Sequence, residues 1–289
     1  MEKINVKCGR INTEGDELFY KVRGSGKPII FIAPGGGNGD NYLELADLMA
    51  NNYKIITYDR RANARSTRNF PNEFTIEQQS RDVIAIIKAV NEEKAFVFGN
   101  SSGGVIALDL VSNHSDYVLS AFVHEAPVAN VHPKKDDWKM FFQSCYDLAK
   151  EKGASAGAKK FFFGIQMPAI ALILATIKSR KYEKHEITLN DLTQAELKIK
   201  LKDATDVLVL NELIPVTGYV PDIEKLKKNK SKIIIGRGEY GIKKKTWYAE
   251  VSEILSKHIE CDLVTCPTHH GSFMDKPKEW AVLLKKYFK

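Results

Sequence analysis

The chain has few cysteines: four among 289 residues, and none of them forms a C-x-x-C pair. Cys261 and Cys266 lie five positions apart on a predicted strand. This odd spacing directs their side chains to opposite faces, so they are not expected to bridge. The pattern predicts neither a disulfide framework nor a zinc site, and we expect no metal.

Long apolar runs are also missing, so no membrane span and no stable membrane insertion are expected. The nearest candidate, residues 161–177, is interrupted by Gly164, Gln166 and Pro168 and is flanked by lysines. We interpret it as one or two buried or pocket-lining helices, and a helix lying in a membrane interface is the less favoured alternative. The N-terminus lacks an apolar core followed by a small-residue cleavage site, so the predicted location is the cytoplasm.

The formal net charge is +7, and much of the excess is lysine in residues 225–232 and 243–245. Nucleic-acid binding surfaces typically interleave arginines and aromatic side chains on one face, and these runs lack that pattern. They flank a predicted strand and are interpreted as solvated loops or helix ends. We therefore expect no nucleic-acid partner.

Two alternating segments, residues 4–11 and 17–24, predict an antiparallel hairpin at a sheet edge. Strand and helix patterns then alternate. Continuous apolar runs such as residues 28–33 are typical of parallel strands buried on both faces. The amphipathic segments between them predict crossover helices.

The alternation stops at about residue 130, and only helical patterns follow, for example over residues 138–153 and 191–213. A strand pattern returns at residue 232. The sequence therefore predicts an α/β fold with a mostly parallel, doubly wound sheet. Residues 1–129 and 226–289 would form this core, and residues 130–225 a helical cap or lid inserted before the penultimate strand.

The strongest functional signal is the segment Gly-Asn-Ser-Ser-Gly at residues 99–103, which matches G-x-S-x-G with Ser101 at its centre. It follows a buried strand and opens a helix, and its glycines permit a sharp turn. The helix N-terminus favours negative charge that develops beside it. We predict that Ser101 is a nucleophile and that the backbone amide of Ser102 faces an oxyanion. An ordinary glycine-rich loop without a reactive serine is the alternative.

A second glycine-rich loop, residues 33–40, follows the first central strand. Acyl transfer requires two N–H donors aimed at the tetrahedral oxyanion. This loop is predicted to supply the second donor, from Gly36 or its neighbour Gly37. A dinucleotide site is the alternative, but it would require spaced glycines in G-x-G-x-x-G, whereas these are consecutive. No cofactor is therefore expected.

A pair of histidines, His269 and His270, directly follows the last predicted strand. A histidine in this place would lie at the carboxyl edge of the sheet, near Ser101. We predict His270 as the general base, with His269 as its competitor. A solvent-exposed pair with no role is the alternative.

These segments together resemble the α/β-hydrolase superfamily over nearly the whole chain. The resemblance rests on the loop after residues 28–33, Tyr-Asp-Arg-Arg at 58–61, the turn at 99–103, the helical insertion and the late histidine followed by Phe-x-x-x-Pro. Within the superfamily the chain is similar to a bacterial group of capped, serine-nucleophile and largely uncharacterised hydrolases. That group usually carries glycine where this chain has Ala62.

The carboxylate that would orient His270 has two candidates. Superfamily members usually carry it after the strand at residues 232–237, which points to Glu239 here. Some members, such as certain haloalkane dehalogenases, carry it at the end of the preceding strand, which corresponds to Glu125. We favour Glu125, because an ionised carboxylate at a buried strand end needs a partner and an imidazolium is a suitable one. A structural carboxylate that holds the loops together is the alternative role for Glu125.

Asp59 is a third and weaker candidate for the acid. It ends a predicted strand and is followed by two arginines, Arg60 and Arg61. We expect its carboxylate to pair with one of these two guanidinium groups.

The sequence thus predicts a serine hydrolase, similar to carboxylic-ester hydrolases, that cleaves an ester or related acyl bond of a small, hydrophobic substrate through a Ser-His-Glu triad and an acyl-enzyme. Apolar and aromatic side chains of the insertion are expected to line part of the pocket. The first alternative keeps the fold without hydrolysis, as in a lyase or an oxygenase, or in a perhydrolase or haloperoxidase-like enzyme. The second is a small-molecule-binding protein without turnover. No oligomeric state is predicted.

Overall fold

A computed structural model describes residues 4–67, 69, 74–182, 186–188 and 204–289 of the chain. Over these residues it forms a nine-stranded sheet with the order β7-β1-β2-β4-β3-β5-β6-β8-β9. The strands are β1 (Ile4–Thr13), β2 (Asp16–Arg23), β3 (Lys27–Ile32), β4 (Tyr53–Tyr58), β5 (Ala95–Asn100), β6 (Val118–His124), β7 (Glu186–Thr188), β8 (Ile233–Gly238) and β9 (Asp262–Cys266). β2 pairs antiparallel with β1 and β4, and every neighbouring pair from β4 to β9 is parallel. The predicted mostly parallel sheet and its antiparallel hairpin are confirmed, but β7 and not the hairpin forms that edge of the sheet.

Besides four short 3₁₀ turns, eleven helices accompany the sheet in the described part of the chain. They are α1 (Leu43–Met49), α2 (Ile76–Ala89), α3 (Ser102–Asn113), α4 (Lys135–Lys152), α5 (Ala154–Gly164), α6 (Ala169–Tyr182), α7 (Ala204–Asp206, then Val207–Glu212, then Leu213–Thr217), α8 (Ile223–Lys228), α9 (Glu239–Lys244), α10 (Trp247–Ile259) and α11 (Pro277–Tyr287). The middle part of α7 has π-helical geometry.

The central strands are buried because helices cover both faces of the sheet. All six residues of β5 are buried. Successive side chains of a strand point to opposite faces. Ile30 therefore packs in the cluster that contains α2, α3 and α10. Its neighbour Phe31 packs in the other cluster, with α1 and α11.

The predicted helical insertion contains α4 to α8, but it is not purely helical. The three residues of β7 pair parallel with β1, so the prediction of helix alone was wrong there. Three residues are too few for an alternating pattern to be recognised. Of the predicted helix at 191–213, residues 204–213 are helical and residues 191–203 lie outside the described residues. The division into a core at 1–129 and 226–289 and a cap at 130–225 stays a prediction.

Within the described ranges, no single helix is both long and apolar enough to cross a membrane. The helices α5 and α6 meet that test only as a pair, and the pair is bent by 117°.

The parallel sheet brings the predicted functional segments to one edge. The loop 33–40 follows β3, Ser101 follows β5, Glu125 follows β6, and the histidine pair follows β9. Because the carboxyl ends of parallel strands meet at the same edge of a sheet, these loops converge there.

Candidate active site

Ser101 stands on a strained turn between β5 and α3. Its backbone angles are φ 54° and ψ −120°, a conformation that residues with a side chain rarely adopt. The Ser101 amide donates to the carbonyl of His124 at 2.9 Å. A Cβ at Gly99 would clash with the carbonyl of Gly103, and a Cβ at Gly103 would clash with that of Ile32. The two glycines are therefore needed for the turn that places Ser101 on the wall of a cavity.

His270 contacts Glu125 through a short hydrogen bond. Nδ1 of His270 lies 2.6 Å from Oε2 of Glu125. The other carboxylate oxygen, Oε1, accepts from the amide of Gly238 at 2.7 Å. Glu125 is fully buried, and its φ of 48° ends β6. Burial alone raises the pKa of Glu125, but the nearby His124, the His270 hydrogen bond and the Gly238 amide outweigh it, so the pKa is lowered and the carboxylate is ionised.

The two competing candidates lie elsewhere. Glu239 is exposed at the start of α9, and its Oε2 accepts from the amide of Thr268 at 3.3 Å. His269 directs Nε2 to the carboxylate of Asp275, also at 3.3 Å. Of the candidate acids and bases, the structure therefore brings Glu125 and His270 into contact. The catalytic roles of Ser101, His270, Glu125 and Glu239 stay predictions.

A second histidine, His124, lies against this pair and was not singled out from the sequence. Its Nδ1 is 2.7 Å from Nδ2 of Asn100, and its Nε2 is 3.6 Å from Oε2 of Glu125. The rings of His124 and His270 stack with centroids 5.9 Å apart. Burial lowers the pKa of His124 to about 4, so the ring is neutral at physiological pH.

The position of His124 follows from the backbone of its neighbour. Adjacent residues on a regular strand point to opposite faces of the sheet. The sequence alone would therefore place the side chains of His124 and Glu125 on opposite faces. The positive φ of Glu125 breaks that alternation, so both side chains meet His270. The only sequence signal was a histidine directly before a candidate acid.

The glycine-rich loop after β3 forms a tight turn, in which the Gly37 amide donates to the carbonyl of Pro34 at 2.9 Å. That amide is therefore already engaged. Gly35 lines the cavity, and Gly36 follows it with a φ of 85°. Ser102, the first residue of α3, also lines the cavity. Gly36 and Ser102 stay predictions as oxyanion donors.

Arg60 stabilises the glycine-rich loop after β3 through hydrogen bonds. Its fully buried guanidinium donates to the carbonyls of Ala33 and Pro34 at 2.9 and 2.8 Å. Its charge is compensated by Glu212 on the π-helical part of α7, whose Oε2 lies 2.7 Å from Nη2. Glu212 is fully buried, lines the cavity and also accepts from Asn63 at 3.2 Å. Sequence reasoning missed this ion pair, because its two members are 152 positions apart.

The expected partner of Asp59 was wrong. Asp59 pairs with Arg65, whose Nε lies 2.6 Å from Oδ2. Arg60 is directed to Glu212, and Arg61 to Asp16 and Asp82. The loop after Asp59 turns back on itself, so the residue six positions later is closer to the carboxylate than its neighbours are.

The cavity beside Ser101 has a volume of about 300 Å³. Its floor carries Ser101, Ser102, Glu125 and His270 at the sheet edge. Apolar and aromatic side chains of α5, α6, α7 and α10 form most of the remaining wall: Phe161, Phe162, Leu172, Leu208, Leu213, Val216, Trp247 and Tyr248. A concave apolar site with a few convergent polar groups is typical of a small-molecule pocket.

None of the four cysteines, all of which lie in the described residues, forms a disulfide, and Cys261 precedes β9 while Cys266 ends it. Burial raises the pKa of the Cys145 thiol to about 11. Within the described part of the chain, no group of three or more histidine, cysteine, aspartate or glutamate side chains could hold a metal ion.

Comparisons with known proteins point to one family. A family model described as "alpha/beta hydrolase fold" matches residues 27–156. The uncharacterised hydrolase YraK of Bacillus subtilis strain 168 is 36% identical over 125 residues, which are 42% of this chain and 45% of that protein. The putative carbamate hydrolase RutD of Caulobacter vibrioides is 29% identical over 112 residues, 37% of this chain and 42% of that protein. The matched part thus spans less than half the length of either relative.

Solved structures resemble the chain over a greater length. An esterase from Thermogutta terrifontis superposes with a TM-score of 0.72 over 97% of both chains, at 14% identity. Est816, titled as an N-acyl homoserine lactone degrading enzyme, has a TM-score of 0.69 over 96% of this chain and 100% of its own, at 18% identity. At such low identity the likeness shows the fold alone.

Proposed function

The chain belongs to the α/β-hydrolase superfamily, and on that premise we propose that it is a serine hydrolase for an ester or related acyl bond. The observation that carries the proposal is the 2.6 Å contact between His270 and the buried, ionised Glu125, next to a cavity that Ser101 also lines. A base fixed by a carboxylate beside a hydroxyl on a strained turn is the arrangement that nucleophilic acyl transfer requires.

The first half of the reaction forms an acyl-enzyme. The Nδ1 proton of His270 is held by Glu125, so Nε2 accepts the hydroxyl proton as Ser101 attacks the carbonyl carbon. The carbonyl oxygen becomes an oxyanion, for which we propose the amides of Ser102 and Gly36 as donors. His270 then passes its proton to the leaving group as the carbon–leaving-group bond breaks.

The second half releases the acid. His270 removes a proton from water, which attacks the acyl carbon, and the proton returns to Ser101 as the ester bond to the enzyme breaks. Glu125 stays ionised throughout and stabilises the imidazolium that forms twice in each turnover. The apolar wall of the cavity supports a small substrate with a hydrophobic acyl group. A relative named a putative carbamate hydrolase is compatible with this bond class.

A fluorophosphonate probe tests the proposal. We expect the native protein to be labelled at one serine and the Ser101→Ala variant not to be labelled. Ser102→Ala is the matched control, because it removes a neighbouring hydroxyl and keeps the amide, so its labelling should persist. Hydrolysis of nitrophenyl esters should follow the same order. An unlabelled native protein, or labelling that survives in Ser101→Ala, would contradict a Ser101 nucleophile.

A further inference from the structure

The helices α5 and α6 expose a band of large apolar side chains. Of the ten large apolar residues that are exposed in the described part of the chain, six lie here. We call them the apolar ridge: Phe162, Phe163, Ile170, Ile173, Leu174 and Ile177, with exposed fractions from 37% to 89%. Exposed apolar residues occur singly on most proteins, whereas a contiguous group marks an interaction surface.

The opposite faces of the two helices are packed on the protein. On α5, Gly157, Ala158 and Phe161 are buried, and on α6 Ala175 is buried. With 11 residues, α5 is about 16 Å long, roughly half of the ~30 Å hydrocarbon layer of a bilayer. The pair therefore fits a position in the plane of a membrane interface, with one face retained on the protein.

The charge of this segment is one-sided. Residues 154–182 contain five lysine or arginine residues and neither aspartate nor glutamate, so the segment carries a formal charge of +5. Lys159 and Lys160 are exposed beside the ridge, and the exposed Lys178 lies 3.5 Å from the carboxylate of Glu44. Apolar side chains bordered by lysines complement an anionic lipid surface. A two-fold contact between copies would instead place this cationic segment opposite itself.

The ridge is continuous with the active-site cavity. An outer groove beside Ile173 and Ile177 is also lined by Phe162, Met167, Leu172 and Thr176. These four residues line the cavity beside Ser101 as well. The groove and the cavity therefore adjoin at these four side chains, three of which are apolar.

We propose that the apolar ridge docks the protein onto an anionic phospholipid surface, and that the outer groove admits the apolar part of an ester from that surface to Ser101. Docking depends on the ridge and its lysines alone. The delivery of an ester rests on the proposed hydrolase function.

Co-sedimentation with vesicles tests docking independently of catalysis. The protein is mixed with vesicles of phosphatidylcholine alone, or with vesicles in which a third of the lipid is phosphatidylglycerol. We expect binding to the anionic vesicles, weakened by salt, and equal binding by the Ser101→Ala variant. Vesicle binding by a native protein that hydrolyses no ester would count against the proposed function and leave docking intact. Binding to neither vesicle would overturn docking.

Matched variants locate the surface. Ile170→Ser with Ile173→Ser, and separately Lys159→Glu with Lys160→Glu, should each weaken binding by about tenfold or more. The controls are Val220→Ser with Val282→Ser, which are 72% and 73% exposed elsewhere, and Lys243→Glu with Lys244→Glu, which are also exposed. Thermal unfolding verifies that each variant is folded. If the control variants weaken vesicle binding equally, the ridge is not the lipid-binding surface. If the protein forms a dimer that only the ridge variant disrupts, a second copy and not a lipid surface covers the ridge.

Discussion

The floor of the cavity is polar and lies on the sheet edge, whereas its roof is apolar and is formed by α5, α6 and α7. In the floor, Glu125 is held by hydrogen bonds to the Gly238 amide and to His270. The roof is held by side-chain packing, to which many different apolar residues can contribute. We therefore expect changes in the floor to abolish chemistry and changes in the roof to alter substrate preference.

Two residues of the floor also have strained backbone conformations. Ser101 and Glu125 both have positive φ, which costs about 1–3 kcal/mol at each residue. The strain persists because the surrounding contacts fix both residues, including the bond from the Ser101 amide to His124 and the bond from the Glu125 amide to Gly236.

The largest effect is expected from Glu125 in the floor. Glu125→Gln should lower kcat by about 10³–10⁴-fold, because the imidazolium of His270 loses its counter-charge and its fixed orientation. Glu239→Gln is the control and should leave kcat nearly unchanged, since Glu239 contacts the Thr268 amide and is exposed. Steady-state hydrolysis of a nitrophenyl ester measures both. The reverse ranking would show that Glu239 is the acid.

The ion pair between Arg60 and Glu212 connects the loop after β3, beside the floor, to α7 in the roof. Glu212→Gln leaves a fully buried guanidinium without a counter-charge, so the free energy of unfolding should fall by about 3–5 kcal/mol. The control Glu253→Gln breaks a part-exposed pair with Arg237 and should cost about 0.5 kcal/mol or less. Urea unfolding measures both values. The double variant Arg60→Met with Glu212→Leu should recover most of the loss, and failure to recover would contradict an ion-pair origin.

Because of the buried His124, the free energy of unfolding is expected to depend on pH. The folded-state pKa of His124, about 4, lies below the ordinary value of 6.5, so the unfolded chain binds a proton first as the pH falls. The free energy of unfolding is therefore unaffected by His124 above pH 6.5 and should fall by up to about 3 kcal/mol as the pH is lowered to 4. Urea unfolding across this range should show a steeper pH dependence for the native protein than for His124→Gln. Equal slopes would show that His124 is not the titrating group.

The smallest effect is expected from the roof. Leu208 lines the cavity, whereas Leu210 on the same helix packs away from it. Leu208→Ala should raise kcat/KM for a longer acyl chain relative to a shorter one by about tenfold, since one methylene in a pocket discriminates by that order. Leu210→Ala should leave this ratio unchanged. A series of nitrophenyl esters of increasing chain length provides the measurement, and an unaltered ratio in Leu208→Ala would remove α7 from the substrate pocket.

Much of the floor could be predicted because its signals are local. The glycines at 99 and 103 fix the turn of Ser101 through clashes with nearby backbone, and His270 needed only a place after the last strand. The choice between Glu125 and Glu239 could not be made locally. Both follow neighbouring parallel strands, and only the positive φ of Glu125 directs its carboxylate to His270.

The predictions failed where a partner is distant or where a loop reverses. Asp59 was expected to bind an adjacent arginine, but Arg65 reaches back to it and Arg60 is drawn to α7. Residues 161–177 were expected to form buried or pocket-lining helices. In the structure some of these residues are buried or line the cavity, whereas others form the exposed ridge.

The sequence by itself determined the strand–helix alternation, the strained turn at Ser101 and the position of His270, because short-range sterics and apolar periodicity specify them. Tertiary structure alone decided that Glu125 binds His270, that Glu212 compensates Arg60 and that the apolar side chains of α5 and α6 divide between cavity and surface. Each of these depends on residues distant in sequence, and folding brings such residues together only when the whole sheet edge is assembled.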